Sequence, residues 1–295
     1  MEQKRDIAQR LSSKYKHQDK AATAVLYIIA GFFMSLLAAI TIYVVGRGVM
    51  SFLPQYINFD KDGLGVELFN TVYIVLLSLI ISVPIGVGAG IYMAEYSKPG
   101  KIANTVRTSI ETLASLPSIV LGLFGFLVFV VLVKSTWNMF AGILTLSIIS
   151  IPLLTRVTED AIREIPHSYR EGSYALGATK WQTIVKVLIP AATSRIRTGV
   201  ILAAGRNFGE AAALIYTSGL TSDVSFSNWN PFSKTSPLNI FRTADTLAVR
   251  IWYLKSSAIL ADKAQLADMA AALLIILVFA FNIIARYSSK KPFGK

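Results

Sequence analysis

Two opposite charges four residues apart, Arg206 and Glu210, stand in a stretch that is otherwise apolar, roughly Thr198 to Leu220. A guanidinium offers a planar fork of donors that suits an oxyanion. A carboxylate one helical turn away would either neutralise it or temper its hold on a passing anion. Other chemistry is scarce. The chain has no cysteine, so thiolate and disulfide chemistry are excluded. The two histidines, His17 and His167, lie far apart and give no metal-ligand spacing. No G-x-x-x-x-G-K-[ST] phosphate cradle, nucleophile elbow or H-E-x-x-H occurs. No metal, no cofactor and no catalytic residue are expected, and the chain cannot hydrolyse ATP by itself.

The elements that must position Arg206 are membrane helices. Of 295 residues, 54% are hydrophobic and only 16% charged, against about 25% charged in soluble domains. The apolar residues fall in blocks long enough to cross a bilayer. Ala21–Val45 is free of charge and exceeds a signal-peptide core, so it reads as an uncleaved first span. Glu67 and Glu95 bracket the second span, Glu111 and Lys134 the third, Lys134 and Arg156 the fourth, and Asp268 and Arg286 the sixth. The fifth, from Thr198, carries the Arg206–Glu210 interruption. The expected fold is all-α, with six transmembrane helices. The expected layout is a basic arm over 1–20, a six-helix transmembrane domain over 21–287 with its core at 66–287, and a tail over 288–295.

With the N-terminus inside, Lys and Arg number 20 on the inner side: 6 in 1–20, 3 in 98–107, 7 in 156–197 and 4 in 286–295. The outer side holds 8, and Arg206 lies in the membrane. Both termini are therefore expected in the cytoplasm. The net charge of +12 is mostly this topology signal rather than a nucleic-acid surface. Taking Arg197 as the cytoplasmic start of the fifth span, Arg206 lies about 14 Å deep in a core about 30 Å thick.

Pro84, Pro117 and Pro152 fall inside spans, as packing kinks or as breaks lining a pathway. Gly205 and Gly209 form a G-x-x-x-G face flanked by alanines. It should pack against a partner or against the third span.

Between the fourth and fifth spans, Ser168-Tyr169-Arg170-Glu171 fits a capping box, helped by Pro166 upstream, and Gly177 stops the helix it starts. Thr179-Lys180-Trp181-Gln182 fits a second box. The helix it opens carries an apolar stripe of Trp181, Ile184, Val185, Leu188 and Ile189, and Pro190 is expected to close it. This helix pair over 166–190 could lie on the membrane or be presented to a partner's groove. A second long connection, over 221–263, starts turn-rich around Ser225–Pro231 and becomes helical from Ala244 to Ala267.

The loop resembles the EAA loop of bacterial ABC importer permeases. Glu171-Gly172-Ser173, Gly177, Val187, Ile189 and Pro190 stand at that motif's spacing, with small residues for its alanines and aliphatic ones for its Ile and Leu. Pro84–Tyr96, Leu116–Phe124 and Arg156–Pro166 are similar to permeases of the phosphate importer. Arg206-Asn207-Phe208-Gly209-Glu210-Ala211-Ala212-Ala213-Leu214 resembles the R-x-x-G-E-T-A-P-L pattern of its PstA type, with Ala211 and Ala213 departing from it.

The resemblance implies a type I (MetI-like) importer permease. It implies half of a transmembrane pathway for inorganic phosphate, with Arg206 and Glu210 on that pathway. Glu171, Gly172, Ser173, Gly177, Trp181, Ile184 and Pro190 would form the coupling helices that dock on an ATPase. The implied partners are a second permease, two ATPase subunits that hydrolyse the ATP, and an extracytoplasmic phosphate-binding protein. The alternatives are another oxyanion such as sulfate or molybdate, the other phosphate permease type, or a stand-alone channel or secondary transporter.

Overall fold

The computed structural model describes residues 2–52, 54–59, 63–98, 100–256 and 263–289, with the side chains of 2–18, 54, 55, 288 and 289 outside the description. Most of the 288–295 tail, and residues 257–262 of the second long connection, lie outside it. Every regular element among the described residues is helical. Five helices are long and apolar enough to span a membrane: α1 (Glu2–Met50, apolar from Asp19), α2 (Gly65–Glu95), α5 (Met139–Arg163), α8 (Ile189–Phe208, continuous with what precedes it) and α11 (Ala264–Ser289). The basic arm is thus not separate from the first span but continues it as one helix.

The third span is not straight. α3 (Lys101–Ser115) and α4 (Ser118–Phe126, prolonged by a π-helical turn to Val131) meet at 98°. Leu116 is extended before Pro117, as the ring of a following proline demands. Pro117 is therefore a break. Pro84 and Pro152 stay inside continuous helices.

The heart of the subunit is α2 against α5. Gly86 and Gly90, one turn apart on α2, let the backbones approach. A Cβ on Gly86 would stand 2.6 Å from Leu154 Cβ, and one on Gly90 2.6 Å from Thr155 O. This is the small-residue packing that lipid favours, where no hydrophobic force drives helices together. α8 and α11 close one side through Phe208, Ala203, Ala204 and Phe281. α4 and the short helix α9 (Ala212–Thr217) close the other, with Gly122 lying on Ala213. Asn138 caps α5 by accepting from Ala141 N, and Met139 N donates to Arg242 O, which ties the irregular 218–246 segment onto that end. α10 (Leu247–Ser256) then packs on α11.

α1 rests chiefly on α11, with Gly48 close to Ala272 and Arg47 paired to Asp268 at 2.9 Å. Its apolar stretch is otherwise bare within the chain.

Candidate functional site

The loop expected to couple to an ATPase is a compact helix pair. α6 (His167–Ala175) begins after Pro166, which has no side-chain cap. The expected Ser168–Glu171 box does not form, because Ser168 already lies inside the helix that the fixed φ of Pro166 starts. Gly177 turns the chain at φ +80°, the left-handed conformation that ends a helix at little cost only for glycine. The second box is complete: Thr179 Oγ1 accepts from Gln182 N and Gln182 Oε1 from Thr179 N. It opens α7 (Lys180–Thr183).

α7 does not stop at Pro190. It runs through a π-helical turn, Ile184–Leu188, straight into α8. In that turn Ile189 N reaches back to Ile184 O. The wider turn takes up the proline, which lacks a donor and would crowd a regular helix. The expected stripe splits: Ile184 and Leu188 are buried against Ala161, Ile162 and Ile165, whereas Trp181 is 64% exposed. Tyr169, Tyr174 and Leu176, the last at 90%, join Trp181 in an exposed apolar set. Glu171 and Gly172 are exposed beside it. Ser173 Oγ pairs with Thr183 Oγ1 at 2.9 Å and locks the two helices together.

Sequence reasoning missed what holds this pair in place. Arg170 Nε and Nη2 donate to Glu95 Oε1 at 2.9 and 2.7 Å, and its guanidinium also donates to Ile165 O and Ile162 O. Lys180 Nζ donates to Glu95 O and sits 4.5 Å over the Tyr96 ring. Both helices of the pair are thus fastened to the end of α2. The only signal was that Glu95 and Arg170 are charges flanking spans, which many unpaired charges also are.

The second group of residues lies around the break that follows α8. α8 ends at Phe208 and the chain breaks over Gly209–Ala211 before α9. Arg206 and Glu210 are consequently not one turn apart on a common face. Arg206 is exposed and makes no ion pair or hydrogen bond among the described residues. Glu210 is buried, and its Oε1 accepts from Ala213 N in the first turn of α9. The expected pair separates because Glu210 satisfies a helix end instead.

Asn207, unremarked in the sequence, sets the level. Its Nδ2 donates to Ser150 Oγ at 2.9 Å and Ser78 Oγ at 3.2 Å. Ser78 and Ser150 each lie within about 3 Å of the midpoint of α2 and α5. Pinning Asn207 inward turns Arg206 outward. Gly205 has no other part of the chain within 4 Å, and Gly209 meets only Arg206 O at 3.8 Å. Their face therefore packs on nothing within this subunit, and the third span, bent at Pro117, packs on α9 instead. The intrachain G-x-x-x-G is Gly86–Gly90.

The 167–190 helix pair and Arg206 are not brought together. Residues 86–293 match the family described as binding-protein-dependent transport system inner membrane component.

The chain belongs to that family.

It is 44% identical over 279 residues to the probable ABC transporter permease protein YqgI of Bacillus subtilis (strain 168), covering 92% of this chain and 95% of that one. It is 34% identical to the phosphate transport system permease protein PstA of Haemophilus influenzae, covering 77% and 76%. A bacterial ABC transporter structure described as importing alginate superposes with a TM-score of 0.63 at 15% identity, over 97% of this chain and all of that one, which shows a shared fold. The protein is a multi-pass, non-catalytic membrane subunit of an ABC importer. Permeases of this kind work with a second permease, ATPase subunits and an extracytoplasmic binding protein.

Proposed function

We propose that the chain is a PstA-type permease, forming with a second permease the membrane pathway for inorganic phosphate, and that Arg206 stands on that pathway. The observation carrying this is an unpaired guanidinium in the last turn of α8, held level with the midpoints of α2 and α5 by Asn207, on a face that no described part of its own chain covers. A charge at the bilayer centre costs roughly 2.5–3.5 kcal/mol by insertion scales, so this face meets protein or water, not lipid. The open glycines beside Arg206 let a second subunit approach, and the guanidinium fork suits a tetrahedral oxyanion. The run from Arg206 to Leu214 and the PstA relatives support phosphate over other oxyanions.

Exposed Tyr169, Tyr174, Leu176 and Trp181, with Glu171 and Gly172 among them, form the surface presented to the ATPase. On this reading 167–190 and both termini are cytoplasmic, in keeping with the excess of Lys and Arg on that side.

The test is phosphate uptake into proteoliposomes carrying the assembled importer. Arg206→Gln is expected to lower uptake at least a hundredfold with assembly intact, and Arg206→Gln/Glu210→Gln is expected to stay inactive. Robust uptake by the double variant would make Arg206 a structural residue.

A further inference from the structure

At the end of α2 opposite the coupling helices lies a cavity of about 480 Å³, lined by Phe59, Glu67, Ser222, Asp223, Asp245 and Arg250 among others. Glu67 is in the first turn of α2 and Glu95, which holds the coupling helices, is in the last. Their separation of 28 positions spans about 42 Å, more than the apolar core, so the cavity opens on the other side of the membrane.

Its wall sets two buried carboxylates, Glu67 and Asp245, beside Arg250. Glu67 and Asp245 are 5% and 1% exposed. Glu67 Oε2 is buried without a hydrogen-bond partner, and Oε1 meets Arg250 Nε only at 3.4 Å. Asp245 Oδ1 accepts from Ser222 Oγ at 2.5 Å. Burial pushes the Asp245 carboxyl above its usual range despite that bond and the two nearby arginines. Arg242, which does not line the cavity, is taken up by Asn70 Oδ1, Ser236 O, Pro237 O and Thr243 O, to which it donates. An orphaned buried carboxylate oxygen is costly, and the cost falls when a donor arrives.

Beside the mouth stands an aromatic patch. The Phe59 ring packs on Phe226 at 4.5 Å, Phe226 on Trp229 at 5.8 Å, and Phe59 and Trp229 are exposed. Aromatic side chains next to a charged pocket are the usual composition of a protein interface core.

We propose that this cavity receives a basic side chain, lysine or arginine, of the substrate-binding protein, with Glu67 and Asp245 as its counter-charges and the Phe59–Phe226–Trp229 patch as the surrounding contact. The inference rests on the coupling helices facing the ATPase, since that places the cavity on the side where a binding protein arrives. An anion is disfavoured by Glu67 and Asp245, the two buried carboxylates on the wall. A protein cation supplies several donors at once and no acceptor.

The test uses the whole importer in lipid nanodiscs, with docking of its binding protein read by surface plasmon resonance. Glu67→Gln, isosteric and uncharged, is expected to weaken docking at least tenfold while ATP hydrolysis without binding protein is unchanged. Thr221→Lys, at the exposed rim, is expected to do the same by placing a competing ammonium in the cavity. One Lys→Gln or Arg→Gln change on the binding protein should produce an equal loss, with no further loss in the Glu67→Gln background. Wild-type docking by both permease variants would overturn the proposal. So would a loss from Glu67→Gln that no basic residue of the binding protein shares, which would mean an inorganic cation or a structural carboxylate. Should Glu67→Gln fail to assemble, Thr221→Lys decides. Docking that behaves as expected in an importer that does not carry phosphate would refute the substrate assigned above and leave this pocket standing.

Discussion

Arg170 and Glu95, 75 residues apart in sequence, meet at 2.7 Å and fasten α6 to the end of α2. Both side chains are nearly buried. Two carbonyls, Ile162 O and Ile165 O, take the remaining donors.

Removing one partner of such a pair leaves a buried charge uncompensated, which costs about 3–5 kcal/mol. Arg170→Gln is therefore expected to loosen α6 from α2 while the spans stay assembled. Uptake should fall at least tenfold, with ATP hydrolysis falling less. Measuring both rates in one proteoliposome preparation checks this, and an unchanged ratio of transport to hydrolysis would refute it.

Gly177 tests the same coupling by backbone strain alone. No atom lies within 4 Å of where its Cβ would be, so a substitution there meets no clash. A left-handed backbone costs an ordinary residue about 1–2 kcal/mol, and asparagine tolerates it better than β-branched residues. Gly177→Val should uncouple hydrolysis from uptake and Gly177→Asn should retain most function. Normal uptake by the valine variant would exclude a coupling role for this turn.

The two G-x-x-x-G faces should respond differently. Gly86→Leu drives a side chain into Leu154 and is expected to cost at least the 1–3 kcal/mol typical of overpacking, lowering the thermal midpoint of the isolated subunit. A Cβ on Gly209 would meet only Arg206 O, at an ordinary 3.8 Å, among the described residues. Gly209→Leu should leave that midpoint unchanged and reduce recovery of the second permease in a pull-down. A pull-down equal to wild type would mean the Gly205–Gly209 face is not the contact between permeases.

Sidedness follows from the same placement. The chain has no cysteine, so single cysteines report cleanly. Ser227→Cys, exposed in the 221–263 connection, should react with an impermeant maleimide in intact cells, and Thr179→Cys, exposed in the coupling turn, should not. The opposite pattern would invert the orientation.

The sequence by itself determined what depends on neighbours along the chain. Uncharged runs of bilayer length, the Thr179–Gln182 cap and the glycine turn at 177 are local, because desolvation of a helix, a capping bond and a backbone angle need no distant partner. Tertiary structure decided everything that depends on who lies opposite. Gly86–Gly90 and Gly205–Gly209 have the same spacing, yet only the first meets another helix, α5, within the subunit. Arg206 and Glu210 have helix-pair spacing, but Asn207 is drawn to Ser78 and Ser150 and the helix ends two residues later, sending Arg206 outward and Glu210 to the end of α9. Glu95 could have been one more interfacial charge, and becomes the anchor of the coupling helices because the fold carries Arg170 to it. A buried polar group takes the partner that its packed surroundings offer, and that choice is made in three dimensions.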